Sequence, residues 1–209
     1  MWFLFLYALS FPFETKAQVF GEYQSARITE KGRVEATGYY TSSTFFFDDW
    51  SARWLNVLGL QAGIGISERF ELRMRYDRQY AVEGEISDGF NMLGIAPKFA
   101  ILKDKIAALL PLSMSFSDYG SGMWQLQPTV LVSLPMSKKV ELNFTTKYFI
   151  SLDEETEGGA MALNLGFAIG NIGEWAIRPE TGLMFKPGDS GSFWNYGLGV
   201  SRTFGKSKL

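Results

Sequence analysis

The chain contains no cysteine and no histidine. The first absence excludes a disulfide framework, a thiol nucleophile and a thiolate metal site. The second removes the commonest general base and the commonest metal ligand. Charge of neither sign dominates: 20 Lys and Arg stand against 22 Asp and Glu, a formal net charge of −2. There is thus no basic footprint for nucleic acid. Proline is sparse, at 7 of 209 residues. Beyond the first residues, no apolar run approaches the roughly 20 residues that a helical membrane span needs. A membrane crossing would have to use strands.

What the chain does have is alternation. Phe70, Leu72, Met74 and Tyr76 alternate with Glu71, Arg73, Arg75 and Asp77. A period of two means β-strand rather than helix. The pattern recurs in Leu58–Ile66, Ile106–Phe116, Val140–Ile150, Met161–Ile169 and Trp194–Phe204. One phase is bulky and apolar, and the other is Gly, Ala or polar. Small residues suit a crowded concave interior better than a solvated exterior. The apolar phase is therefore read as facing outward, toward lipid. Short turns alternate with longer loops along the chain. The acidic residues Asp48, Asp49, Glu83, Glu85, Asp88, Asp118 and Asp153 to Glu157 gather in the loops, and Lys103, Lys105, Lys138 and Lys139 in the turns. The expected fold is all-β, a closed up-and-down antiparallel transmembrane β-barrel of about ten strands, with 8 or 12 as neighbouring possibilities. Pro97, Pro111, Pro128 and Pro179 fall inside these strands. Proline cannot donate to a ladder, so local bulges are expected at each. A soluble barrel of lipocalin type, with its apolar phase inward, is the structural rival.

The N-terminal run Met1 to Leu9 is apolar, and Thr15-Lys16-Ala17 offers the small residues a signal peptidase reads. Residues 1–17 are expected to be a signal peptide cut before Gln18. Residues 18–31 are expected to be a periplasmic lead-in, 32–204 the barrel and 205–209 a periplasmic tail. Aromatic residues mark the ends of many apolar faces: Phe70, Tyr76, Phe116, Trp124, Tyr148, Trp175, Phe185, Trp194 and Phe204. They are expected to form interfacial girdles.

The chemistry-bearing set is the inward group Glu71, Arg73, Arg75, Asp77, Glu141, Lys147, Arg178 and Glu180. Unpaired charges in a narrow lumen would be costly, so mixed signs imply a paired network. Such a network either plugs the barrel or lines a small pore or ligand cavity. The acidic run Asp153 to Glu157 lacks the set ligand positions of a calcium loop. Gly63/Gly65 and Gly197/Gly199 lack the helix a dinucleotide loop requires. No catalytic residue, metal site or cofactor is expected.

The segment Trp194-Asn195-Tyr196-Gly197-Leu198-Gly199-Val200-Ser201-Arg202-Thr203-Phe204 resembles the C-terminal strand of small bacterial outer-membrane β-barrels. It departs from that pattern in Arg202, which falls on the apolar phase, and in the residues that follow Phe204. The signal followed by Gln18 is similar to those of secreted Bacteroidota proteins. The repeated hairpins look more faintly like the barrel family associated with phenol degradation and presumed transport. The resemblance implies a place in the outer membrane, with lipid, lipopolysaccharide and the barrel-assembly machinery as partners. Enzymes of that barrel class generally use a His-centred site, which does not carry over here. The expectation is a non-enzymatic barrel for narrow passage or binding of a small-molecule solute. The alternative is a structural or partner-binding barrel with a plugged lumen.

Overall fold

A computed structural model describes residues 21–82, 89–117, 120–153 and 159–206. The expected signal peptide, residues 18–20 of the expected lead-in, the acidic run after Asp153, the residues Glu83, Glu85, Asp88 and Asp118, and the last residues of the tail lie outside that set. The described residues form a single antiparallel sheet of β1 (Val34–Phe47), β2 (Trp50–Gly65), β3 (Phe70–Ala81), β4 (Phe90–Leu102), β5 (Ile106–Leu109), β6 (Leu112–Ser117), β7 (Gly120–Leu126), β8 (Thr129–Pro135), β9 (Val140–Tyr148), β10 (Ile150–Ser151), β11 (Met161–Asn171), β12 (Trp175–Phe185) and β13 (Ser192–Phe204).

β5 with β6, β7 with β8, and β9 with β10 are halves of single passes, so the wall is a closed barrel of ten strands. Closure comes from two sets of pairs. β1 is flanked by β2 and β13, and β4 pairs with both β5 and β6. Closure leaves no edge on which backbone groups would go unpaired in lipid.

The faces divide as the alternation requires. Leu58, Leu60, Met74, Leu93, Ile95, Phe144, Leu165, Ile177, Leu198 and Val200 stand on the outer surface, each 40% exposed or more. Thr37, Gln61, Glu71, Asp77, Glu141, Ala162, Ala168 and Asn195 are buried inside. This apolar outside and polar inside is the arrangement of a transmembrane barrel, and it is the reverse of a lipocalin. The aromatic residues read as girdles all lie on the outer phase. Phe70, Trp175 and Phe204 stand at the end carrying the short turns. Phe116, Trp124, Phe185 and Trp194 stand at the end carrying the longer loops, and Tyr148 pairs with Met161 near that end. Tyr76 sits at mid-strand, opposite Leu60 and Leu93.

Phe45, Phe46 and Phe47 continue β1, and only Asp48 and Asp49 make the turn. The register slips from Ser43↔Leu55 to Thr44↔Arg53, leaving Trp54 as an extra residue on β2. That slip explains why a clean period of two fails there.

The bulges expected at the prolines do not occur. The irregularities among the described strands lie at Ser43/Thr44, Ala100/Leu102 and Ser115/Ser117. Pro97 and Pro179 sit within continuous registers opposite Leu72 and Leu198. Pro111 and Pro128 interrupt their passes without shifting register. The Leu110 N–H donates to the Pro97 carbonyl at 3.0 Å, that of Gln127 to Pro111 at 2.9 Å and that of Tyr148 to Pro128 at 3.0 Å. Each proline thus loses only its own N–H, the return bond of a reciprocal pair. One carbonyl left short, that of Gln127, accepts instead from the Thr129 hydroxyl at 2.7 Å. The three prolines follow one another across adjacent passes and form one weakened seam in the wall.

Candidate functional site: a lumen filled by the N-terminal segment

Residues 21–31 do not lead in from outside the barrel, as expected for the 18–31 segment; they run inside it. Glu22, Tyr23, Gln24, Ser25 and Ala26 are all 5% exposed or less. The segment descends through the lumen and reaches the turn end at Lys31, which bridges Gly65 in parallel. There the chain reverses into β1. Gly32 makes the reversal with φ of +80°, a conformation that disfavours any residue with a Cβ. The turn is closed by the Gly32 N–H on the Gly65 carbonyl at 2.8 Å and the Arg33 N–H on that of Glu30 at 2.9 Å.

The wall holds the segment largely by its main chain. The Glu180 carboxylate accepts from the N–H groups of Glu22 at 2.7 Å and Tyr23 at 2.9 Å. Arg75 donates to the Gly21 carbonyl and the Gln61 amide to that of Glu22, each at 2.7 Å. Lower down, the Ser133 hydroxyl accepts from the Ala26 N–H at 2.7 Å. Lys98 donates to the Arg27 carbonyl and Glu71 accepts from the Thr29 N–H, again at 2.7 Å. These groups come from strands all around the wall. An extended backbone in a dry lumen needs partners for its polar groups, and the inward side chains supply them.

Three side chains of the segment are also recognised, those of Glu22, Tyr23 and Arg27. The Glu22 carboxylate is ion-paired with Lys147 and lies 3.8 Å from the Arg75 guanidinium. The Gln24 amide donates to it at 2.6 Å. Tyr23 stacks on Tyr39 with ring centroids 4.7 Å apart, and its hydroxyl shares a 2.5 Å hydrogen bond with Thr41. The slot exists because β13 carries glycine beside it. A Cβ at Gly197 would collide with the Tyr23 hydroxyl, and one at Gly199 would stand 3.1 Å from the Tyr23 Cβ. Tyr39 hydrogen-bonds Asp77, and Gly59 leaves room for its ring in the same way.

The sequence-predicted charges all face this lumen, and the structure divides them into linked groups. At the turn end, Arg73 pairs with Glu71 and with Glu35, the latter at 3.2 Å. Arg178 reaches Glu35 at 3.3 Å, and Lys98 lies 3.8 Å from Glu71. Further up, Arg75 pairs with Asp77 at 2.7 Å. Glu141 and Lys147 pair with the segment itself, Glu141 with Arg27 at 2.7 Å and Lys147 with Glu22. Glu180 binds the segment's backbone. Burial of so many charges is tolerable only because the signs balance.

Glu22, Tyr23, Arg27, Glu35, Tyr39 and Lys98 belong to this network and were not foreseen. Glu35 and Tyr39 share the inward phase of β1, and Lys98 shares that of Ala96 in β4, so strict extension of the alternation would have found them. Glu22, Tyr23 and Arg27 lie in a run without periodicity and carried no such signal.

Toward the loop end the lining turns apolar. Phe149, Ala160, Ala162, Met184 and Phe193 form one buried cluster with Phe45 against it. A cavity of about 20 Å³ beside the segment touches Glu22, Arg75 and Gln127. That is room for about one water molecule. Among the described residues, no group of acidic side chains could hold a metal ion.

The class that this architecture defines is a closed transmembrane β-barrel with an occupied lumen. No known protein family matches the chain, and no characterised protein resembles it significantly in sequence. Solved structures that align with it include bacterial outer-membrane barrels. An outer-membrane channel from Pseudomonas putida F1 aligns over 90% of this chain and 100% of its own, with 11% identity and a TM-score of 0.47. Ail, the attachment invasion locus protein of Yersinia pestis, aligns over 83% of this chain and 99% of its own, at 10% identity and a TM-score of 0.37. Neisserial surface protein A aligns over 83% and 100%, at 15% identity and a TM-score of 0.36.

Proposed function

We propose that the protein is a non-enzymatic outer-membrane barrel whose lumen is closed at rest by its own N-terminal segment, and that it admits a small solute only when that segment withdraws. One observation carries the reading: the segment's backbone from Gly21 to Thr29 is hydrogen-bonded by inward side chains from around the wall. A segment so held is a plug. It is held to the wall by polar contacts and one ring stack and continues into β1 through the Gly32 turn, so its withdrawal breaks none of the strand ladders of the barrel. Ten strands enclose much less space than the 16–18 of porins, so any solute is small.

Conductance of the purified protein in planar bilayers tests this. The intact barrel should be closed or nearly so, and a variant lacking residues 21–29 should conduct. A truncated barrel that is folded and silent would leave a purely structural or partner-binding barrel as the function.

A further inference from the structure

The wall's contacts with the segment have the pattern of a peptide receptor. Three wall groups near the top of the segment, Glu180, Arg75 and Gln61, bind its main chain. Any peptide carries those N–H and C=O groups. Near the top of the segment, side-chain recognition falls on two adjacent positions, an acid held by Lys147 and Arg75 and an aromatic ring stacked on Tyr39 beside Gly199, while a third side chain, Arg27, pairs with Glu141 lower down. We propose that the lumen is a binding site for short acidic peptides, with Glu22-Tyr23 as its resident ligand, and that an incoming peptide with an acid–aromatic pair takes the same place when the segment leaves.

The proposal rests on the withdrawal set out under Proposed function. A small aromatic anion that is not a peptide would satisfy the cations and the ring slot. It would leave the Glu180 carboxylate, which takes two backbone N–H groups here, without its donors. Unpaired buried acceptors penalise such a ligand strongly.

The probe is the blocked tetrapeptide Ala-Glu-Tyr-Ala, acetylated and amidated so that its termini carry no charge. Equilibrium dialysis against the detergent-folded barrel lacking residues 21–29 should show saturable binding. Ala-Gln-Tyr-Ala and Ala-Glu-Ala-Ala should each bind about tenfold more weakly or worse, as loss of a charged partner or a ring contact implies. Glu180→Gln should weaken the parent peptide, and 4-hydroxyphenylpropionate should not compete. A peptide of residues 21–31 should bind in trans and displace the tetrapeptide.

Equal binding of all three tetrapeptides, or competition by the non-peptide anion, would overturn the proposal. So would binding of the 21–31 peptide alone, because the site would then be reserved for its own segment. If the truncated barrel does not fold, the full chain carrying Tyr23→Gly serves, with the tetrapeptide supplying the ring that the resident segment then lacks. Conductance is read separately. A folded barrel that binds peptide but never conducts sinks passage and keeps the site, whereas one that conducts without binding does the reverse.

Discussion

Replacing Gly199 by valine should open the barrel without damaging its wall. The three nearest neighbours of a Cβ at this position are Tyr23 Cβ at 3.1 Å, Cδ1 at 3.2 Å and Cγ at 3.3 Å, all atoms of the plug. The backbone of Gly199 is ordinary extended strand, in register with Tyr39 and Arg178, so a β-branched residue suits it. The valine methyls would reach past that Cβ into a ring already stacked on Tyr39. Overpacking of this kind costs about 1–3 kcal/mol. The cost falls on the closed state alone, because with Tyr23 withdrawn the valine points into vacated lumen. The ratio of open to closed barrels should rise by roughly 5- to 150-fold. Alanine at the same site should give a smaller rise, since its Cβ alone displaces the ring by only a few tenths of an ångström. Open probability in planar bilayers reads the shift, and tryptic cleavage after Arg27 reports withdrawal independently. Adding Tyr23→Gly should abolish the effect of the valine, since the coupling runs through that ring. A folded Gly199→Val barrel that stays closed, with Arg27 still protected, would refute the placement of Tyr23 in the slot and the plug built on it.

Leu165 is 45% exposed on the outer face of β11, opposite Phe144. Leu165→Arg should cost about 2–4 kcal/mol of membrane-folded stability in urea titrations on vesicles, more than Asn164→Ala beside it; the reverse ranking would mean inverted faces. Arg73 is buried between Glu35 and Glu71. Arg73→Met should cost about 3–5 kcal/mol by stranding those carboxylates, and adding Glu35→Gln should recover part of the loss; an Arg73→Met barrel as stable as the parent would contradict the pairing. Amides flanking the proline seam, around Leu110, Gln127 and Tyr148, should exchange with deuterium faster than those of the β1–β2 ladder. Equal protection would show that the missing donors do not weaken the wall.

The strands were legible in the sequence because alternation is a local property. A residue in Phe70–Tyr76 declares its face by its neighbours two positions away, so β3, β9, β11 and β13, and the outward side of each, could be assigned without knowing what they pair with. The inward charges followed from the same parity. The turn and loop chemistry implied an even, up-and-down barrel. Two things did not follow. Proline's missing N–H predicted bulges, but whether one lost donor distorts a ladder depends on which neighbour it faced, and the wall absorbed the loss at Pro97 and Pro111 with no slip in register. More consequential is the plug. Gly21 to Lys31 has no period, and its polar composition reads as a solvated leader. Its place is set by partners far along the chain: Glu180 for Glu22, 158 residues away, and Glu141 for Arg27, 114 residues away. Local pattern carries no information about such pairings. Only the closed wall brings those carboxylates into one dry lumen, where a backbone with unmet hydrogen bonds and charges of balanced sign satisfy one another.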